Sequence, residues 1–204
     1  VLVGFRAQGS HDITGIERCP ILNPRIETHL ADITQVINQL DGRAQILHVD
    51  LASNDDFVAL VFRHRDALNA EDKHRLRDFG QTLDWSIYIQ PEQSRSIDPL
   101  MPTEDRELKD HQPAFNLSIG FKPLDFTQIN PLINQAMVQL AIKWLDIQPE
   151  EHALDLFAGL GNFTLPMARF AAQVTAVELD PQMVQRAEVA AQENGITNTK
   201  HISG

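Results

Sequence analysis

The chain has 204 residues, of which 43% are hydrophobic and 22% are charged. These proportions are those of a globular protein with a buried core. No apolar run approaches the roughly 18 residues of a membrane-spanning helix, and no basic and apolar leader of the secretory kind opens the sequence. We therefore expect a soluble globular protein that has no membrane partner.

The net charge is −11, from 17 basic and 28 acidic residues. Nucleic-acid-binding proteins normally present a basic surface, so this balance argues against nucleic-acid binding by the chain as a whole. A local basic face remains compatible with it. The single cysteine, Cys19, excludes an internal disulfide and favours a reducing compartment.

The first part of the chain predicts short strands mixed with helices. Alternating residues indicate strands at 2–5 and 12–17, and an amphipathic segment runs from Pro24 to Leu40. Two β-rich runs separated by a turn signal predict a hairpin at 44–51 and 57–62. A helix at 70–83 and a strand at 85–89 follow. The polar stretch 91–113 holds four of the eleven prolines and predicts a loop that can carry an edge hairpin.

The sequence pattern changes from Pro131, and we place the domain boundary near Pro123. A strand at 115–121 is followed by a helix that begins at Pro131 and ends near residue 145. Strands then alternate with helices, which is typical of parallel βαβ units; the strands are at 153–157, 174–177 and 199–202 and the helices at 163–171 and 181–193. We therefore predict a mixed α/β chain, with an α+β domain over residues 1–123 and βαβ units over residues 124–204.

A glycine turn follows the first strand of the predicted βαβ region. The apolar strand that contains Asp155 leads into Gly159-Leu160-Gly161, and a helix comes next. Glycines at these positions allow a sharp turn and let the backbone approach a ligand closely. Glu178 ends the next strand, where an acid can accept hydrogen bonds from the ribose hydroxyls of an adenosine cofactor.

The residues around this turn favour one cofactor over another. A dinucleotide site has Gly or Ala two positions after Asn162, and this chain has Thr164 there. Asp155 lies where it could compensate a positively charged ligand. S-adenosylmethionine carries a sulfonium and no phosphate, so it fits these residues better than a dinucleotide does. The alternative is a βαβ unit whose glycine turn is purely structural.

A second polar string precedes the helix that begins at Pro131. It runs from Phe121 through Asp125, Gln128 and Asn130 and continues to Asn134-Gln135. Asn130 is interpreted as a helix cap or turn residue, since Asn satisfies free backbone N–H groups. Gln is a poor cap, so Gln128 is the better candidate for contact with a ligand.

These two strings together resemble the RNA uracil-5-methyltransferase family. The segments that carry the likeness are 121–135, 144–146 and 154–166, and the likeness covers essentially the whole chain. The segment around Gly4-Phe5-Arg6 and Cys19-Pro20 is similar to the iron–sulfur branch of that family. The resemblance implies that the βαβ region is the first part of a Rossmann-like class I methyltransferase domain.

The resemblance also implies roles for individual residues. Gln128, Phe157, Asn162 and Glu178 match family positions that bind S-adenosylmethionine, with Gln128 at the methionine end and Glu178 at the ribose. With the residues of the turn, the predicted cofactor site consists of Gln128, Asp155, Phe157, Gly159, Gly161, Asn162 and Glu178.

Cys19 matches the last of four cysteines that bind a 4Fe–4S cluster in the family, and the other three lie upstream of Val1. We therefore expect the cluster in a longer protein and a cluster-free Cys19 in these 204 residues. The alternative is a lone cysteine that acts as a small buried hydrophobic residue.

The activity that the resemblance implies is methyl transfer from S-adenosylmethionine to C5 of a uridine in 23S ribosomal RNA. In the family, a cysteine thiolate adds at C6 of the base and a glutamate removes the C5 proton. No cysteine follows Cys19, so we expect that both ends are cut, that the catalytic residues lie beyond Gly204, and that this chain alone is inactive.

The expected partner is 23S ribosomal RNA, with no DNA and no membrane, and the expected compartment is the cytoplasm. Three alternatives remain. The first is a sister enzyme that acts on transfer RNA or on another ribosomal site. The second is a non-catalytic module that binds an adenosine cofactor. The third is a structural interaction domain.

Overall fold

A computed structural model describes residues 2–101 and 107–204 of the chain. The chain forms two compact units, one of Val1–Arg106 with Lys122–Leu124 and one of Glu107–Phe121 with Asp125–Gly204. Residues 102–106 of the predicted loop lie outside the described part. The division at residue 123 stays a prediction.

The first unit begins with short elements. Strands β1 (Gly4–Arg6) and β2 (Ile13–Gly15) pair antiparallel. The amphipathic segment predicted from Pro24 to Leu40 forms two helices, α1 (Pro24–Glu27) and α2 (Leu30–Gln39). The first helix ends at Glu27 with Thr28 as its C-cap, because His29 then adopts a non-helical backbone conformation.

A four-stranded sheet forms the centre of the first unit. Its strands lie in the order β3 (Ile46–Ser53), β4 (Val58–His64), β5 (Ser86–Pro91) and β6 (Asp98–Pro99). The predicted hairpin is confirmed, since β3 and β4 pair antiparallel, whereas β4 and β5 are parallel and joined through helix α3 (Ala70–Leu83). Apolar side chains of both sheet and helices are buried together in this core, among them Ile26, Ile37, Leu40, Leu60, Phe62, Leu76 and Ile87.

A buried carboxylate holds the turn that leads to β3. Asp72 in the first turn of α3 is 1% exposed, and its two oxygens accept hydrogen bonds from the backbone N–H groups of Asp41 (2.8 Å) and Gly42 (2.9 Å). Its own N–H is bound by the helix cap Asn69 over 2.7 Å. The charge of Asp72 therefore replaces backbone partners that this turn lacks.

The second unit begins with a hairpin of β7 (Leu108–Gln112) and β8 (Leu117–Phe121). Strand β7 lies at the end of the stretch predicted as loop. Its sequence, Leu-Lys-Asp-His-Gln, has one apolar residue, so no alternation marks it as a strand. Pairing with β8 along its whole length stabilises it instead.

The rest of the second unit consists of βαβ units. Helix α4 (Pro131–Leu145) leads to β9 (His152–Leu156), α5 (Thr164–Ala168), β10 (Gln173–Glu178), α6 (Pro181–Glu193) and β11 (Thr199–Ser203). The three strands lie in the order β11-β10-β9 and both pairings are parallel. This register confirms the predicted parallel βαβ units. Among the helices of the described residues, none has the length and apolar character to cross a membrane.

Helix α6 is attached to the hairpin through Asn194, the residue after its last turn. The Asn194 side chain accepts from the Ser118 N–H (2.9 Å) and donates to the Ser118 carbonyl (2.7 Å), as a neighbouring strand would. This contact anchors the end of α6 to strand β8.

Candidate cofactor site

A pocket opens in the second unit beside the turn that follows β9. Its walls come from the β7–β8 hairpin, the segment before α4, helix α4 and the turn itself, and they consist of Asp110, Ile119, Phe121, Phe126, Thr127, Gln128, Asn134, Asp155, Phe157, Ala158, Gly159, Leu160, Asn162 and Phe163. Two of these described lining residues are carboxylates, and none is Lys, Arg or His. Such a pocket favours a ligand with positive charge and disfavours a phosphate.

The structure brings five of the seven predicted cofactor residues into the lining. Gln128, Asp155, Phe157, Gly159 and Asn162 all contribute to the pocket wall. Gly161 and Glu178 do not line it but support the turn. The role of all seven in cofactor binding stays a prediction.

The two glycines of the turn have different structural tasks. Both have positive φ angles, +56° at Gly159 and +94° at Gly161. A Cβ at Gly161 would lie 3.2 Å from Leu165 Cγ, so this glycine lets helix α5 pack close to the turn. A Cβ at Gly159 would meet nothing within 4 Å, so the space that Gly159 faces is open. The second glycine therefore serves packing, and the first leaves room beside the pocket.

Phe157 directly follows strand β9 and has a left-handed conformation, with φ +59°. Its side chain is 91% exposed, so it contributes almost nothing to the core of this unit. A non-glycine residue in this region is strained, and such strain is typical of functional sites. The ring therefore offers a flat apolar surface at the pocket.

Asp155 lies at the bottom of the turn and is held by Thr164. The buried Thr164 hydroxyl donates to Asp155 Oδ2 over 2.5 Å. Burial raises the pKa of Asp155 above its ordinary value of 3.8, and the hydrogen bonds from Thr164 act in the opposite direction. A positively charged ligand would stabilise the ionised form. Sequence reasoning used Thr164 only as a mismatch to the dinucleotide pattern and missed this contact.

Glu178 supports the turn from the end of β10. One carboxylate oxygen accepts from the Gly159 N–H (2.9 Å), and the other accepts from the Asp180 N–H (3.0 Å). Each oxygen of an ionised carboxylate can accept more than one hydrogen bond. Glu178 can therefore hold the turn and still accept from a hydroxyl of a bound ligand.

Four side chains form a connected polar network at one wall of the pocket. Asn134 and Asn162 bind each other reciprocally, with N–O distances of 3.0 and 2.9 Å. Asn134 also donates to Asp110 (3.1 Å), and Gln112 donates to Asn162 Oδ1 (2.6 Å). Asp110 and Gln112 gave no signal in the sequence, because they lie on a strand that local patterns do not reveal.

The segment that carries Gln128 is fixed at both ends. Asp125 accepts from Arg186 of helix α6 over 2.6 Å, and both side chains are largely buried. Asn130 caps helix α4 by accepting from the Ile133 N–H (3.0 Å), which confirms its interpretation as a cap. Gln128 lies between these two anchors and lines the pocket.

Cys19 lies in the first unit and is 8% exposed, so its thiol is buried. A 4Fe–4S cluster needs about four thiolate ligands. Cys19 is the only cysteine in the sequence, and the part of the chain that the structure describes contains no group of three or more His, Cys, Asp or Glu side chains able to hold a metal. These residues alone therefore do not make up a ligand set for the cluster.

The second unit is a Rossmann-like α/β unit, and its pocket is lined by two carboxylates and by no basic side chain among the described residues. The sequence model of the tRNA (uracil-5-)-methyltransferase family matches residues 7–203, so the chain belongs to this family. The resemblance found in the sequence is thereby confirmed.

Relatives with similar sequences carry the name 23S rRNA (uracil(1939)-C(5))-methyltransferase RlmD. The protein from Acinetobacter baylyi is 40% identical over 208 aligned positions, which include 100% of this chain and 45% of the relative. The protein from Hahella chejuensis is 41% identical over 98% of this chain and 45% of the relative. The chain thus spans about half the length of these relatives.

Solved structures show the same fold. The tRNA (uracil-54, C5)-methyltransferase of Pyrococcus abyssi, in complex with S-adenosyl-L-homocysteine, matches 99% of this chain and 52% of its own, with a TM-score of 0.69 and 17% identity. Trm5b from the same organism matches 99% of this chain and 59% of its own, with a TM-score of 0.53 and 16% identity. These matches confirm the mixed α/β fold class.

Proposed function

We propose that the complete protein transfers a methyl group from S-adenosylmethionine to C5 of a uridine in 23S ribosomal RNA. Support comes from the family match over residues 7–203 and from relatives at 40–41% identity that are named for this reaction at uracil 1939. The uridine we propose is the equivalent of that position.

The observation that carries the proposal is the charge of the pocket. Asp110 and Asp155 line it, and no basic side chain is present among its described lining residues. A dinucleotide or a phosphate would meet two carboxylates and no cation there. A sulfonium cofactor with a positively charged amino group fits the same wall.

When bound, S-adenosylmethionine supplies an electrophilic methyl group. In our proposal, Gln128 binds the methionine end, Phe157 presents its exposed ring to an apolar part of the cofactor, and Glu178 accepts from the ribose. Asp155 compensates positive charge, and Gly159 leaves space for close approach. Asn162 contributes a hydrogen-bond donor at the pocket wall.

The groups that act on the uridine are proposed to come from outside these 204 residues. The only cysteine is buried in the first unit, which does not suit a nucleophile that must reach a base. We assign Cys19 instead to a 4Fe–4S ligand set completed by other cysteines of the complete protein, within a domain that ends near residue 123. We place the protein in the cytoplasm, where its ribosomal RNA substrate is found.

The test uses the complete product of the gene. It is incubated with isotopically labelled S-adenosylmethionine and unmodified 23S ribosomal RNA, and the label is located by nuclease mapping and mass spectrometry. The proposal expects label in 5-methyluridine at one site. The Asp155→Asn variant is the control in which the cofactor site is impaired. It removes the charge of the side chain and keeps its shape.

Two results would contradict the proposal. Label that enters only transfer RNA would assign the protein to a sister activity within the family. Failure to label any RNA, together with failure to bind S-adenosylmethionine, would leave a family member whose pocket serves another ligand.

A further inference from the structure

Each hydrogen bond of the polar network at the pocket wall has a fixed donor and a fixed acceptor, and Asp110 determines which group is which. An ionised carboxylate can only accept hydrogen bonds, whereas an amide side chain has one donor end and one acceptor end. Because Asn134 faces Asp110 Oδ2 at 3.1 Å, the group of Asn134 at that position must be the NH2 group. Asn134 is 2% exposed, so water does not offer it another arrangement.

The orientation of Asn134 determines that of Asn162. The NH2 group of Asn134 uses its second hydrogen to donate to Asn162 Oδ1 (3.0 Å), and Asn134 Oδ1 accepts from Asn162 Nδ2 (2.9 Å). Rotating either amide by half a turn would place oxygen against oxygen or nitrogen against nitrogen. The reciprocal pair therefore has one allowed arrangement while Asp110 is ionised.

Gln112 completes the network from the other side. Its NH2 group donates to Asn162 Oδ1 (2.6 Å) and to the Asn162 carbonyl (3.2 Å). With Asn134 and Gln112 both donating to it, Asn162 Oδ1 has no further lone pair to offer. Asn162 Nδ2 has a single acceptor among the described residues, so its second hydrogen is available at the pocket.

We propose that Asp110 is a positioning residue of the cofactor site, because it makes the Asn162 side chain a hydrogen-bond donor toward the ligand. This inference depends on the proposed binding of S-adenosylmethionine in the pocket. The group that Asn162 meets is then an acceptor, such as a carboxylate oxygen, a ribose oxygen or an unprotonated ring nitrogen. Asp110 acts through Asn134 and does not need to touch the cofactor.

The test is a double-mutant cycle in the complete protein, read as the Kd of S-adenosylmethionine and of S-adenosylhomocysteine by calorimetry. Asp110→Asn keeps the shape of the side chain but allows the amide groups of the network to take either orientation. We expect it to weaken both ligands by about 5-fold, since a charged hydrogen-bond partner becomes a neutral one. Asn162→Ala should weaken binding by about 10-fold. In the Asn162→Ala background, Asp110→Asn should no longer change the Kd of S-adenosylhomocysteine, which carries no sulfonium charge.

Asp146→Asn is the matched control. Asp146 is exposed at the end of helix α4 in a left-handed conformation that Asn tolerates, so this variant makes the same change of net charge without altering the network. It should leave both Kd values unchanged.

Three results would overturn the inference. If the two substitutions are additive, Asp110 does not act through Asn162. If Asp110→Asn weakens S-adenosylmethionine but leaves the Kd of S-adenosylhomocysteine unchanged, Asp110 acts only on the positive charge and not through Asn162. If the parent protein binds neither ligand, the proposed function itself fails, whereas additivity in a protein that does bind them rejects only the positioning role.

A spectroscopic measurement on the parent protein covers the case in which Asp110→Asn is too unstable to titrate. With 15N-labelled asparagine, the side-chain NH2 signal of Asn162 is assigned by its absence in the Asn162→Ala variant. Binding of S-adenosylhomocysteine should move one of its two protons downfield, because that proton gains an acceptor. If both protons stay in place, Asn162 does not donate to the ligand.

Discussion

Thr164 Oγ1 donates to Asp155 Oδ2 over 2.5 Å, which joins the first turn of helix α5 to the end of strand β9 beneath the glycine turn. Thr164, the residue that departs from the dinucleotide pattern, therefore binds the Asp155 carboxylate of the pocket. Burial raises the pKa of Asp155 and the Thr164 hydroxyl opposes the rise, so the two effects together set the pH at which Asp155 loses its charge.

The first prediction concerns pH. Because a positively charged cofactor favours ionised Asp155, its affinity should fall as the pH is lowered through the raised pKa of this group. Thr164→Val should move that loss to higher pH, since it removes the interaction that lowers the pKa. Asp155→Asn should abolish this pH dependence. The measurement is the Kd of S-adenosylmethionine against pH for the three proteins.

Stability of the free protein should respond in the opposite sense. A carboxyl group whose pKa is raised by folding contributes stability that is full below its unfolded pKa and is lost as the pH rises through the folded pKa. Asp155→Asn should therefore flatten this part of the pH dependence of the free energy of unfolding. An affinity that rises at low pH would contradict the assignment of Asp155 to a cationic ligand.

The second prediction separates the space beside Gly159 from its backbone conformation. Gly159→Ala and Gly195→Ala should each cost about 1–2 kcal/mol of stability, because both positions have positive φ and nothing within 4 Å of an added Cβ. Only Gly159→Ala should weaken cofactor binding, by about 10-fold, which corresponds to roughly 1.4 kcal/mol. Thermal unfolding and calorimetric titration of the two variants check this. Equal affinities would show that the cofactor does not approach the turn.

The third prediction concerns the anchor of the segment that carries Gln128. Arg186→Met should cost about 3 kcal/mol of stability, because it removes the charged hydrogen bond of 2.6 Å that the largely buried Asp125 accepts. The double variant Asp125→Asn, Arg186→Met should lose less than the sum of the single losses. Lys200→Met, which removes an exposed cation from strand β11, should change stability by less than about 0.5 kcal/mol. Urea denaturation of the parent and the four variants tests this, and strict additivity would show that the pair is not coupled.

The fourth prediction concerns the first unit. Asp72→Ala should cost about 3 kcal/mol, because it leaves the N–H groups of Asp41 and Gly42 without their buried acceptor. Asp78→Ala on the same helix removes only an exposed carboxylate that lies 3.4 Å from His74, and should cost less than about 0.5 kcal/mol. Equal losses of unfolding free energy in urea would show that Asp72 does not hold the turn.

The βαβ region was predictable because its determinants are local. The short strands of five or six residues, the glycines of the turn and the prolines at the starts of α4 and α6 can each be recognised within a short window of sequence. The lining by Phe157 and Asn162 was expected from the family resemblance alone, whereas Gln128 was also favoured because Gln is a poor helix cap.

What the sequence did not reveal depends on distant partners. Asp110 and Gln112 meet Asn134 and Asn162 only because strand β7 pairs with β8 and the hairpin packs within the second unit. No spacing along the chain encodes that encounter. The break between α1 and α2 was missed for another reason, since the apolar spacing continues through Thr28 and His29 although the backbone does not remain helical.

The attachment of Asn194 to strand β8 has a consequence for chemical ageing. Asn-Gly is the sequence in which an asparagine side chain cyclises most readily onto the following nitrogen, and Gly195 follows Asn194. Here the side chain is bound at both ends to Ser118, and the Gly195 N–H donates to the Gln192 carbonyl over 3.0 Å. Deamidation must wait for these bonds to open together. Deamidation is therefore expected first in molecules in which the end of α6 has already detached from the hairpin. In the product, the new carboxylate faces the Ser118 carbonyl and has no hydrogen to donate to it.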